Sequence, residues 1–93
     1  MKELNTIADY RIVGILSDPK QTEKTVYQSF LVEFVHSGGL HKLAVSVSGD
    51  DCAYMATHIG DTILGVIDMY SYQGKGQYEG RWFTSVRLKI LPL

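Results

Sequence analysis

Apolar and polar positions alternate along most of this chain, and the alternation predicts strands. From about Asp9 to Ser17 the run Tyr10-Arg11-Ile12-Val13-Gly14-Ile15-Leu16 is β-branched and apolar, with Gly14 marking a bulge or bend. A polar connection from Asp18 to Thr25 leads to a second strand, Val26 to His36, in which Gln28, Phe30, Val32 and Phe34 share a parity. Ser37-Gly38-Gly39 supplies a tight turn, and His41 to Val47 then sets Leu43, Val45 and Val47 against Lys42, Ala44 and Ser46. At Ser48-Gly49-Asp50-Asp51 the period changes: capping residues precede Cys52, Met55, Ala56 and Ile59 at helical spacing, and the helix ends at Gly60. Thr62 to Tyr72 is again a strand. A glycine-rich loop, Gln73 to Gly80, leads to the last one, Arg81 to Leu91.

The order is β-β-β-α-β-β. An all-β chain with small α content, carrying one short helix between strands three and four, matches the OB-fold, a five-stranded Greek-key barrel that buries one parity of every strand. The sets Phe30/Val32/Phe34, Leu43/Val45/Val47, Ile63/Ile67/Met69 and Val86/Leu88/Ile90 are expected to fill the barrel, with Met55 and Ile59 plugging its bottom. By parity, Trp82 joins Val86 and Ile90 in the core; the face assignments follow unbroken alternation, and a bulge at Gly14 or Gly65 inverts the parity beyond it. No repeat or linker divides the chain, so residues 1–93 form one domain with a core over about 9–91.

Composition narrows the classes. With 93 residues the chain is too short for a catalytic (β/α)8 barrel or a doubly wound nucleotide-binding enzyme, and 45% hydrophobic content argues against disorder. No apolar run is long enough to span a bilayer and the start lacks a signal-peptide core, so a cytoplasmic location is expected. A single cysteine, Cys52, excludes an internal disulfide and a CxxC zinc clip; it falls on the apolar stripe of the helix as a buried small hydrophobe. His36, His41 and His58 have no metal-ligand spacing, and no cofactor is expected. Asp50, Asp51, Asp61 and Asp68 have no nucleophile-base arrangement around them; two suit helix capping, and the chain does not read as an enzyme.

Several stretches resemble the bacterial single-stranded-DNA-binding protein family and its small OB-fold relatives, among them primosomal replication protein N-like and filamentous-phage single-strand-binding proteins. Gly14-Ile15-Leu16-Ser17-Asp18-Pro19 is similar to the glycine, leucine and Asp-Pro run that ends the family's first strand, one residue shorter. Gly60-Asp61-Thr62 resembles the entry to its fourth strand, and Arg81-Trp82-Phe83-Thr84-Ser85-Val86 the R-x-x-T-x-V of its fifth. Arg87-Leu88-Lys89-Ile90-Leu91-Pro92 is similar to the close of the phage proteins. Two departures stand out: Ser48 replaces the family's strand-three tryptophan, and the sequence ends at Leu93 without an acidic recruitment tail. The resemblance implies a barrel that binds single-stranded DNA with little base preference, with replication proteins as further partners.

Such binding needs a cationic groove for phosphates and aromatic faces for bases. Outward parity in the last two strands carries Tyr70, Tyr72, Phe83, Arg87 and Lys89, and the glycine-rich loop adds Lys75, Tyr78 and Arg81. Lys20 and Lys24 in the first long loop are expected to form the opposite wall, with Tyr27 nearby and a mobile Gly74/Gly76 hairpin closing over the strand. From Gly74 onward the charge is +3, from Lys75, Arg81, Arg87 and Lys89 less Glu79, whereas Asp50 to Asp68 holds four aspartates and no cation. The overall charge is −1. The same aromatics also suit a subunit interface or a protein-binding module, and a cold-shock-like barrel would take single-stranded RNA. Because one barrel covers few nucleotides, a homodimer or homotetramer is expected.

Overall fold

The computed structural model describes residues 5–91. Six strands and one helix follow in the order β1 (Asn5–Ile15), β2 (Lys20–Gln21), β3 (Val26–His36), β4 (Gly39–Ser48), α1 (Asp50–Thr57), β5 (Thr62–Gln73) and β6 (Trp82–Ile90). The first strand begins four residues before the alternation suggested, and the two-residue β2 was not foreseen, because its Lys-Gln sequence has no apolar signal; it pairs with Val26 and Tyr27.

Hydrogen bonding runs β1-β5-β6-β4-β3-β2, and β3 returns to β1, so β1, β3, β4, β5 and β6 close a five-stranded barrel. All long pairings are antiparallel except β4 with β6, which meet in parallel at Ser46 and Arg87. Closure leaves few strand edges free, as a small all-β chain requires. Between Ile12 and Gly14 the β1–β3 register steps by one residue, the bulge that Gly14 signalled. Pairing through Gly65 is unbroken on both sides, so parity holds there.

Inward parity builds the core: Tyr10, Ile12, Phe30, Val32, Val45, Val47, Ile63, Ile67 and Leu88 are buried, together with Cys52 and Met55 of α1. Gln28 is buried with them and donates from Nε2 to the Ser17 carbonyl at 3.0 Å, which satisfies its amide inside an apolar surround. Cys52 lies against the Val47 carbonyl, Sγ to O 3.2 Å; burial, then the neighbouring Asp51 carboxylate, pushes its thiol pKa up, so it stays a neutral thiol.

Three expectations about the core and helix are corrected. Ile59 does not plug the barrel: α1 ends at Thr57 and Ile59 is 44% exposed, leaving Met55 as the plug. No aspartate caps α1: the N-cap is Gly49 at φ 66°, without a side-chain cap, and Asp51 instead accepts the Ile90 backbone N–H at 3.1 Å. Met69 and Trp82, assigned to the core by parity, are 43% and 69% exposed. The parity is right, but β5 and β6 outrun the barrel. Beyond the Ile67–Leu88 pair the opposing layer runs out: Val86 still packs against the core, but Met69 across from it and Trp82 further along do not.

Candidate nucleic-acid interface

The overrunning half of the β5–β6 hairpin forms an arm, exposed throughout from Asp68 to Gln73 and from Trp82 to Thr84. Antiparallel register places Tyr72 directly opposite Phe83 and Tyr70 opposite Ser85, all on the outward face. Cross-strand proximity then builds a platform: Tyr72 and Phe83 stack with centroids 5.8 Å apart at 26°, and Tyr70 lies 6.0 Å from Tyr72. Tyr78 meets Phe83 edge-on at 5.9 Å and 85°. Half of Tyr72 remains exposed, 50%, so one face of the cluster is open to a ligand.

The arm tip is folded onto this platform. Gly76 to Tyr78 make one 3-10 turn, Gly74 N–H donates to the Arg81 carbonyl at 2.8 Å, and Arg81 N–H donates to the Tyr78 carbonyl at 3.0 Å. Gly74 is obligatory here: a Cβ would sit 2.6 Å from the Tyr78 carbonyl and 2.8 Å from Phe83 Cε2. Lys75 and Arg81 are exposed on this tip.

Arg87 belongs to the same face. Its guanidinium lies 4.9 Å from the Tyr70 ring centroid and donates from Nη2 to the Tyr70 hydroxyl at 2.7 Å, which holds both groups in place. Next to it, Ser29, Ser46, Arg87 and Asp68 form one outward row across β3, β4, β6 and β5. Lys89 opposes Val66 one step along. A groove of about 770 Å3 runs here, walled by Tyr27, Ser46, Ser48, Asp68, Arg87 and Lys89. Asp50 and Asp51 of α1 line it as well.

Lys20 pairs with Tyr27, and Tyr27 with Ser48, so these residues sit at the far end of the outer face. By the parallel register, the level of Ser48 is that of Lys89, roughly 23 Å from Trp82 at about 3.3 Å per residue. Lys24 is exposed in the following turn, where the Thr22 hydroxyl accepts the Thr25 N–H at 3.2 Å. Lys20 and Lys24 are therefore not a wall facing Lys75 and Tyr78 but the opposite end of one stripe: cationic turn, groove, aromatic arm.

The charge polarisation along the sequence does not survive folding. Asp68 is brought opposite Arg87, and Asp50 and Asp51 share a groove with Lys89. Ser46, Ser48 and Asp68 were not among the expected site residues; the parity Asp68 shares with Tyr70 and Tyr72 was the signal that could have found it. Trp82 lies on the reverse face of the arm, opposite Gln73. No family model matches the chain, and neither does any curated protein or solved structure.

Proposed function

We propose that the chain is a non-catalytic OB-fold protein that binds single-stranded DNA along this stripe, bases stacking on the arm and phosphates meeting the exposed cations. The observation that carries the reading is the open platform of Tyr70, Tyr72, Phe83 and Tyr78, built by cross-strand register and continuous with Arg87. Every base offers a π-face, so stacking holds a strand without a strict code, and each stacked base contributes about 1–3 kcal/mol. The strand order supports the OB assignment. With the five barrel strands numbered in chain order, neighbours run 1-2-3-5-4-1 and the third and fifth are parallel, the helix lying between the third and fourth. The likeness to the bacterial single-stranded-DNA-binding proteins fits the same reading, as does a homodimer or homotetramer that multiplies a short site.

The test is fluorescence anisotropy of a labelled single-stranded oligonucleotide of about 30 nucleotides at low salt, a length that spans several barrels' worth of site. Saturable binding is expected, with Tyr72→Ala and Phe83→Ala each weakening it about tenfold, the loss of one stacked base. Both side chains lie on the exposed arm, so thermal unfolding of the two variants should match that of the parent. Unchanged affinity in both would sink the site. A protein-binding module is the second reading, favoured by the aspartates in the groove; it predicts no oligonucleotide binding even at low salt.

A further inference from the structure

The middle of the stripe differs chemically from its ends. Two charged groups in the groove are already engaged, Asp51 with the Ile90 N–H and Arg87 with the Tyr70 hydroxyl. Among the described residues, the side chains of Asp68, Asp50, Ser46, Ser48 and Lys89 make no hydrogen bond or ion pair within the chain. Asp68 is the telling case. It stands directly opposite Arg87 in register, yet the guanidinium turns to Tyr70, so the carboxylate lines the groove with its acceptors unused.

Carboxylates repel phosphates. A strand crossing the groove is therefore oriented, with its phosphates turned away from Asp68 and Asp50 toward Lys89 and solvent, and a base edge turned into the groove. An ionised carboxylate only accepts hydrogen bonds. Cytosine and adenine present an exocyclic amine to it, and guanine presents an amine beside a ring N–H. Thymine offers one ring N–H flanked by two carbonyl oxygens, which a carboxylate repels. The geometry points to the groove as a base-edge pocket in which Asp68, seconded by Asp50, favours amino-bearing bases over thymine.

This inference rests on the single-strand reading and adds a specificity determinant to it. The experiment titrates the whole protein with oligodeoxycytidylate and oligothymidylate of equal length at one salt concentration. The cytidine oligomer is expected to bind at least about fivefold tighter, the scale of one good base contact. Asp68→Asn removes the charge and adds an amide donor for thymine O4, so the ratio should fall to about one, chiefly by tighter thymidine binding. Equal affinity of the parent protein for the two oligomers overturns the inference and leaves the single-strand reading standing. An unchanged preference in both Asp68→Asn and Asp50→Asn overturns the assignment to these carboxylates. Failure of the parent to bind either oligomer removes the single-strand reading, and this inference with it.

Discussion

Gly65 and Gly14 look alike in the sequence, each a glycine inside an apolar run, yet they do different things. A Cβ on Gly65 would meet Leu88 Cδ1 at 2.8 Å and the Lys89 carbonyl at 3.1 Å, whereas one on Gly14 would meet nothing within 4 Å. Gly65 lets β5 and β6 approach over the core; Gly14 serves only the bulge beside it. Gly65→Ala should therefore destabilise the protein by about 1–3 kcal/mol, the usual result of overpacking, while Gly14→Ala stays within about 0.5 kcal/mol. Urea unfolding of the two variants checks this, and equal losses would refute the contrast. At the same scale, the positions of Tyr70 and Arg87 are mutually determined: the ring carries the guanidinium and the hydroxyl accepts from it.

At the scale of elements, α1 is short, eight residues, and isolated it would not be stable in water. Met55 and Cys52 anchor it by burial, and Asp51 joins its first turn to the end of β6. That last contact satisfies a part-buried backbone donor, so Asp51→Ala should cost about 1–2 kcal/mol, more than a surface aspartate. Asp50→Ala, on the neighbouring exposed position, should cost under about 0.5 kcal/mol; thermal or urea unfolding of the pair decides whether the contact is structural. The arm obeys a different logic. Its strands continue the alternation of the barrel, but Met69 and Trp82 on one face and Tyr72 and Phe83 on the other are solvated on both sides. Its order comes from cross-strand pairs and the turn at Gly74, not from a core. Truncating its aromatics therefore leaves global stability intact.

Over the whole molecule the two long hairpins point the same way, because β4 and β6 run parallel and each begins at a hairpin tip. The roughly 23 Å of outer face between the level of Ser48 and Trp82 gives a strand room to run from the Lys20 turn toward the Lys75 loop. With a net charge of −1 the long-range field does little to draw in a polyanion, so binding must rest on local cations and stacking. The logarithm of affinity should then fall with the logarithm of salt at a slope of only about −2 to −3, the value for three or four phosphate contacts on a single strand. A salt series of anisotropy titrations measures it. A slope near zero would mean that stacking alone holds the strand and that the cations make no phosphate contact. An RNA oligomer of the same sequence in the same series reports on any contact to the 2′-hydroxyl.

Much of this was legible in the chain. Period-two alternation located the long strands, the helical spacing of Cys52 and Met55 located α1, and Gly14 announced its bulge, because these signals are local and depend only on neighbouring residues. The outward parity that gathers Tyr70, Tyr72, Phe83, Arg87 and Lys89 was legible for the same reason. What alternation cannot carry is where the opposing layer stops: parity put Trp82 and Met69 inside, and only the end of the barrel, past Ile67 on one strand and Val86 on the other, decided that they are outside. Nor can it say which distant segments meet. The chain separates its aspartates from its terminal cations, and the β5–β6 register with the parallel contact at Ser46 brings Asp68, Arg87 and Lys89 into one groove. Face and period are properties of adjacent residues; burial and charge juxtaposition belong to pairings across the barrel, and only the tertiary structure supplies those.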